Sequence, residues 1–123
     1  MVMSTARPVY VEAPARLAVH LFADAEVARL EVSGEVDLSS TSVLEGALAD
    51  ALACGTPSVV IDLDGCDFFA ACGYRALAEA ADVTVARGGA LVVERAPASL
   101  RIIAGIVAEP GVVVRDPDDR RNP

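Results

Sequence analysis

The sequence predicts a single α/β domain whose mixed sheet of about five strands carries three or more helices. The first observation is length, because 123 residues are enough for one compact domain and too few for two. The second is composition: 54% of the residues are hydrophobic, so a core can form without metals or disulfides. The third is order, since segments with strand periodicity alternate with segments of helical periodicity as β-β-α-β-α-β-α-β.

The two ends of the chain differ from its middle. Residues 1–13 show no periodic pattern, which predicts a flexible N-terminal arm. Residues 116–123 are charged and proline-rich, a composition typical of disorder. The folded domain is therefore expected to occupy residues 14–115.

A hairpin and a helix are predicted for the first half of the domain. Alternating apolar residues at 17–22 and again at 28–32 are typical of two half-buried strands, and Gly34 marks the end of the second strand. The start of a helix is predicted by several N-cap candidates, Ser39, Ser40, Thr41 and Ser42, and Ser42 with Glu45 has the spacing of a capping box. The apolar face of that helix is expected to contain Val43, Leu44, Ala47, Leu48, Ala51 and Leu52.

Strands and helices alternate in the second half of the domain. The nearly continuous apolar run at 58–63 is typical of a strand that is buried on both faces. A second helix is predicted to begin near Ala71, and a third has Pro97 in its first turn. Short apolar runs at 91–93 and 112–114 predict the last two strands. The second and third helices are expected to bury Tyr74, Leu77, Ala78, Ala81, Val85, Leu100, Ile103, Ala104 and Val107.

The charge of the chain argues against one large class of function. The net charge is −8, and the ten basic residues, all of them arginine, form no basic stripe, so direct binding to DNA or RNA is not expected. No apolar run approaches the ~20 residues of a membrane span, and the N-terminus has no secretion signal; a cytoplasmic location without membrane insertion is therefore predicted. The spacing of Cys54, Cys66 and Cys72 does not match a zinc site, and no metal or cofactor is predicted.

An acidic motif at the end of a predicted strand supports one enzymatic alternative. Residues 59–65 form an apolar strand followed by D-x-D-G, which looks like the first motif of haloacid-dehalogenase-type phosphatases. In that family Asp62 would attack phosphorus and Asp64 would act as acid and base beside Mg²⁺. However, the chain has no lysine, about sixty residues follow the motif, and Cys66 stands where those enzymes usually carry Thr or Ser. A small phosphatase is therefore a minor alternative. The main interpretation of Asp62 and Asp64 is that their carboxylates solvate a loop.

Two motifs in the right order carry a stronger resemblance. The second predicted strand runs into Gly34-Glu35-Val36-Asp37, and about twenty-five residues later the segment 61–74 reads I-D-L-D-G-C-D-F-F-A-A-C-G-Y. Over residues 15–115 the chain resembles the STAS family, particularly the bacterial anti-anti-sigma factors, also called anti-sigma factor antagonists. The resemblance implies a STAS-like fold and a transcription regulator that is not an enzyme. It implies a protein that binds an anti-sigma factor, often of serine-kinase type, and thereby frees a sigma factor.

The second motif departs from the family pattern at its phosphorylation site. The family has D-S-[ST]-G at the start of the second helix, where this chain has Ala70-Ala71-Cys72-Gly73. Ala71 matches the phospho-acceptor serine and has no hydroxyl, so the resemblance implies a non-phosphorylatable relative. The partner-binding surface that the family implies consists here of Asp37, Leu38, Ser39, Phe69, Ala70, Ala71, Cys72 and Gly73.

Two pairs of alternatives stay open at this level. Cys72, near a helix N-terminus, is either a redox-reactive thiol, with Cys66 as the partner in a switchable disulfide, or a small buried apolar side chain. The protein is either an anti-sigma factor antagonist or a STAS subunit of a larger assembly, such as a lipid-transport ABC complex or a signalling scaffold.

Overall fold

The structure, a computed structural model, describes residues 5–6, 10–11 and 17–115. Seven strands and three helices lie in this part of the chain. The strands are β1 Thr5–Ala6, β2 Tyr10–Val11, β3 Leu17–Ala23, β4 Val27–Val36, β5 Ser58–Phe69, β6 Leu91–Glu94 and β7 Val112–Val114. The helices are α1 Thr41–Ala53, α2 Ala71–Ala86 and α3 Ala98–Ile106.

All the strands belong to one mixed sheet in the order β1-β3-β4-β5-β6-β7, and β2 also pairs with β3. β3 is antiparallel to its neighbours, whereas β4, β5, β6 and β7 are parallel. Each parallel step returns through a helix, and such crossovers have one hand, so successive helices lie on the same face of the sheet. α2 contacts both α1 and α3. The predicted order of elements and the mixed sheet are confirmed.

The core lies between the helices and one face of the sheet. Alternate strand residues point to this face and are buried, among them Leu21 on β3, Leu30 on β4 and Ile61 on β5. Five helical side chains complete the centre of the core: Leu44, Leu48, Tyr74, Leu77 and Leu100. The opposite face of the sheet carries polar residues: His20, Arg29, Glu31, Asp62 and Glu94.

Two short strands lie in the segment that the sequence predicts as a flexible arm. β1 pairs with residues 22–23 of β3 and β2 with residues 18–19 of the same strand. The sequence pattern did not indicate these strands. The other residues of that segment, and the predicted tail at 116–123, lie outside the described residues, so the arm and the tail remain predictions.

The predicted ends of β4 and β5 were wrong because they depend on pairing between strands. β4 continues past Gly34, which adopts a φ of 110° beside a register shift in its pairing with β5. Because β4 extends to Val36, β5 can also extend and pair with it as far as Phe69. α1 begins at Thr41, and its N-cap residue is Ser40, one of the predicted N-cap candidates; the capping box of Ser42 and Glu45 does not form.

The apolar faces of the helices are narrower than predicted. Val85 and Val107 are exposed, and Ala78 is only half-buried. α3 ends at Ile106 and buries Leu100 alone, whereas Ile103 and Ala104 are only partly buried against the core. None of the helices among the described residues is long and apolar enough to cross a bilayer.

Candidate functional site

The two sequence motifs meet at the carboxyl end of β4 and β5. Val36 and Phe69 are paired residues at the ends of these neighbouring parallel strands. The Ala70 backbone N–H then donates a hydrogen bond of 2.8 Å to the Val36 carbonyl. The loop 37–40 and the start of α2 at Ala71 therefore lie side by side, at the edge where open α/β sheets usually bind their ligands.

The carboxylate of Asp37 organises the loop between β4 and α1. Its Oδ1 accepts hydrogen bonds from the Ser39 hydroxyl at 2.7 Å, the Ser39 N–H at 3.0 Å and the Ser40 N–H at 3.1 Å. The hydrogen bond from the Ser39 hydroxyl is the main reason that the pKa of Asp37 lies below its ordinary value. With its polar groups held in this turn, the loop presents Leu38 to solvent with 85% of its surface exposed.

The buried hydroxyl of Ser40 fixes the loop to the strand before it. It donates to the Glu35 carbonyl at 2.8 Å and accepts the Asp37 N–H at 3.0 Å. The sequence pattern indicates the serines and threonine of this loop only as helix caps. The signal that could have revealed their role is an Asp followed two, three and four residues later by hydroxyl side chains, since such residues bond to their own turn.

Two residues of the predicted partner surface belong instead to the core. The Phe69 side chain is fully buried, and its backbone N–H donates to the Ser99 hydroxyl at 2.9 Å. Gly73 is buried against it: a Cβ at this position would lie 2.6 Å from Val36 Cγ1 and 2.7 Å from Phe69 Cε1. Both residues therefore position the start of α2 and present no side chain to a partner.

The remaining predicted residues form one continuous surface. Ser39 and Ala71 are exposed, whereas Ala70 and Cys72 are half-buried. Ala70 is the N-cap residue of α2 and makes no side-chain capping bond. We call this surface the loop–helix surface; it comprises Asp37, Leu38, Ser39, Ala70, Ala71 and Cys72.

Cys72 joins the two halves of the loop–helix surface. Its Sγ lies 2.9 Å from the hydroxyl oxygen of Thr41 at the start of α1. The Thr41 hydroxyl has a single proton, which it donates to the Asp37 carbonyl at 2.5 Å. The thiol of Cys72 is therefore the donor in its contact with Thr41, and it acts as a polar bridge between α1 and α2.

Cys66 has the properties of a structural thiol. It is buried, and burial raises its pKa to about 11. Its Sγ donates to the Phe68 carbonyl at 3.3 Å. Because the thiolate is the reactive species, a protonated Cys66 at neutral pH does not support the predicted redox role for this residue.

The Asp62 carboxylate lies on the helix-free face of the sheet and is fully engaged. Its Oδ2 accepts hydrogen bonds from Arg29 at 2.7 Å and from Arg95, and its Oδ1 accepts from Arg95 Nε at 3.1 Å and from the Asp64 N–H at 3.0 Å. Burial by itself raises the pKa of Asp62, but Arg95, the Asp64 N–H and Arg29 hold it below its ordinary value. A nucleophilic carboxylate needs a free oxygen, and both oxygens of Asp62 are occupied.

The same network extends across three strands. Glu94 accepts hydrogen bonds from Arg29 at 3.2 Å and from Arg115 at 2.9 Å. Arg95 adopts a left-handed backbone conformation with φ of 55°, which places its guanidinium on Asp62. Among the described residues, no group of three or more His, Cys, Asp or Glu side chains is arranged to hold a metal ion.

Comparison with solved structures defines the class of fold. An anti-sigma factor antagonist from Mycobacterium paratuberculosis is similar with a TM-score of 0.68 and 25% identity, over 89% of this chain and 93% of that chain. The anti-sigma factor antagonist SpoIIAA in its unphosphorylated form has a TM-score of 0.64 and 14% identity, over 85% and 99%. SpoIIAA, a Bacillus cell fate determinant, is also similar in its phosphorylated form, with a TM-score of 0.59 and 12% identity over 92% and 96%. The fold is that of the anti-sigma factor antagonists.

The family follows from the sequence match. A family model described as "Mlab, STAS domain" matches residues 19–107, and the chain therefore belongs to the STAS domain family. The resemblance carried by the two motifs is thus confirmed. No curated protein matches the sequence.

Proposed function

We propose that this chain is an anti-sigma factor antagonist-like protein of the bacterial cytoplasm. It binds a partner protein, an anti-sigma factor of serine-kinase type, through the loop–helix surface. The observation that carries the proposal is the meeting of the loop 37–40 with the start of α2 in a fold shared with anti-sigma factor antagonists. The fold supports the class of partner, and the geometry supports the position of the contact.

The chemistry of the surface favours binding over catalysis. The side chains that it exposes are small or apolar, apart from Ser39 and the Asp37 carboxylate, which is occupied within its own loop. Small neutral side chains at Ala70 and Ala71 allow the close approach of a partner backbone. The carboxylate that could have acted as a nucleophile, Asp62, is held by two arginines on the helix-free face of the sheet.

The exposed methyl group of Ala71 supports a permanently unphosphorylated surface. It occupies the position that matches the family's phospho-acceptor, and it offers no hydroxyl. Phosphate at this position would add up to two negative charges to the contact. Because Ala71 cannot carry phosphate, the partner's kinase activity does not switch this surface off.

A panel of purified partners tests the proposal. Each serine-kinase-type anti-sigma factor encoded in the same genome is titrated with the chain by isothermal titration calorimetry. At least one is expected to bind, and mass spectrometry after incubation with that protein and ATP is expected to find no phosphate at residues 70–73. The proposal is wrong if no member of the panel binds, or if phosphorylation elsewhere on the chain releases the complex.

A second candidate is a STAS subunit of a larger assembly, such as a lipid-transport ABC complex. The observation that favours it is the matching family model, whose description names a STAS protein and no anti-sigma factor. The gene next to this one separates the two candidates, because a transporter permease favours the assembly and an anti-sigma factor favours the antagonist. Co-purification with that permease after co-expression would establish the second candidate.

A further inference from the structure

We infer that Leu38 and Phe68 are the apolar anchors of the partner contact, and that acidic residues around them select a partner whose matching face is basic. The inference rests on the proposed function for the partner's identity, since an anti-sigma factor is the protein expected to carry that face. The proposed contact extends beyond the loop–helix surface, because Phe68 is outside that surface. It also specifies the partner's face as basic and apolar.

Leu38 and Phe68 are large apolar side chains that are exposed to solvent. Leu38 has 85% of its surface exposed, more than any other large apolar side chain in the part of the chain that the structure describes, and Phe68 has 45%. Phe68 is the cross-strand partner of Glu35 and directly precedes buried Phe69, so both apolar side chains stand at the same end of β4 and β5. Large side chains of this kind dominate contact energies when a partner covers them.

The surface around Phe68 is acidic. Glu35 and Asp67 are exposed beside Phe68, and no described basic side chain forms an ion pair with either of them. Arg29 and Arg95, on the helix-free face of the sheet, are bound to the Asp62 network. Burial is the main cause of the raised pKa of the neighbouring Cys66 thiol, and the charges of Asp67 and Glu35 raise it further.

Exposed apolar side chains with acidic neighbours indicate the chemistry of the partner's matching face. An apolar centre with a charged rim is the usual anatomy of a protein contact, and the rim is matched by the opposite sign on the partner. The matching face is therefore an apolar pocket flanked by Arg or Lys. A second copy of this chain is a poor occupant, because the same end of two copies would bring Glu35, Asp37 and Asp67 against their own like charges.

The first experiment uses the anti-sigma factor identified by calorimetry. Leu38→Ser and Phe68→Ser are expected to weaken its binding about thirtyfold each, as anchors of a contact do. The matched control is Ile106→Ser on α3, because Ile106 is a large apolar side chain that is also highly exposed (77%) but lies elsewhere on the domain. Circular dichroism melting checks that all three variants fold. If Phe68→Ser does not fold, Leu38→Ser alone decides the outcome.

Charge is tested with the same partner by stopped-flow kinetics, which measures the association and dissociation rates separately. Glu35→Gln and Asp67→Asn, and a rise in salt from low to high ionic strength, are expected to slow association with little effect on dissociation. Asp82→Asn on the exposed side of α2 is the charge control. Binding that is unchanged in Leu38→Ser and insensitive to salt would overturn the inference and leave the proposed function intact.

The second experiment does not need the anti-sigma factor. A synthetic amphipathic helix of Arg and Leu is titrated into the ¹⁵N-labelled chain, with a Glu and Leu helix of the same apolar face as control. Only the basic peptide is expected to shift amide signals, those around Leu38 and Phe68, and Leu38→Ser is expected to weaken it about tenfold. Shifts spread over other acidic surfaces would overturn the inference. Shifts confined to this end, with no anti-sigma factor bound in the panel, would support the inference and refute the proposed function.

Discussion

Asp37, directly after β4, and Asp62, within β5, use their carboxylates in opposite ways. At the loop–helix surface, Asp37 bonds to its own loop, and the result is an ordered turn that exposes Leu38. On the helix-free face, Asp62 bonds to Arg29 and Arg95 from other strands and loops, and the result is a closed ion-pair network. The role of each carboxylate therefore depends on the hydrogen-bond donors that surround it. Local donors here order a loop that exposes Leu38, whereas arginines distant in sequence join neighbouring strands of the sheet.

The largest expected effect is on the network. Asp62→Ala leaves two arginines without their shared carboxylate, and the free energy of unfolding is expected to fall by about 2–4 kcal/mol in urea titrations. Asp64→Asn is the control: its side chain is exposed, and the expected change is within about 0.5 kcal/mol. If both variants match the parent in stability, the network is not what holds this face together.

A smaller loss is expected from Gly73→Ala. The added methyl would lie 2.6 Å from Val36 Cγ1, so either the start of α2 or the end of β4 must shift. The expected loss is about 1–3 kcal/mol, measured by urea unfolding. Gly46→Ala within α1 is the matched control, because nothing lies within 4 Å of its added Cβ, and it is expected to stabilise the domain by about 0.5–1 kcal/mol.

The hydrogen bond between Cys72 and Thr41 joins α2 to α1, and its loss is expected to have the next-largest effect on stability. Cys72→Ala removes the donor to Thr41 and is expected to cost about 1 kcal/mol of stability. Cys72→Ser keeps a donor of similar size and is expected to stay within about 0.5 kcal/mol of the parent. Equal losses in the two variants, in the same urea titration, would show that packing of the sulfur and not its hydrogen bond matters at this position.

Acid is expected to weaken the network through Asp62. Because its folded-state pKa is below the ordinary value near 3.9, the folded protein binds this proton more weakly than the unfolded chain. Its contribution is therefore complete above that ordinary pKa and is lost as the pH falls through the lower, folded-state value. Melting curves between pH 5 and pH 3 should show a smaller loss of stability in Asp62→Asn than in the parent. A parallel pH dependence in the two proteins would remove Asp62 as the cause.

Sequence patterns predicted the order of elements, because that order follows from periodicity. The meeting of the two motifs was implied by the family resemblance. Sequence patterns could not show which of two adjacent phenylalanines faces the core. That choice depends on the register shift between Gly34 and Glu35, which leaves Phe69 buried and Phe68 exposed. Nor could they show that Asp62 is occupied, because its arginine partners are each 33 residues away along the chain.

The central claim is that the loop–helix surface binds the partner, and the paired variants Ala71→Glu and Ala86→Glu test it most directly. Both alanines are exposed on α2, one at its start and the other in its last residue. A carboxylate at a helix start is favourable by roughly 0.3–1 kcal/mol, so Ala71→Glu should fold with the melting temperature of the parent. In calorimetric titration with the anti-sigma factor, Ala71→Glu is expected to lose binding by about 2–5 kcal/mol, because an unpaired charge is then buried in the contact. Ala86→Glu is expected to bind as the parent does. A folded Ala71→Glu variant that binds as tightly as the parent would contradict the claim.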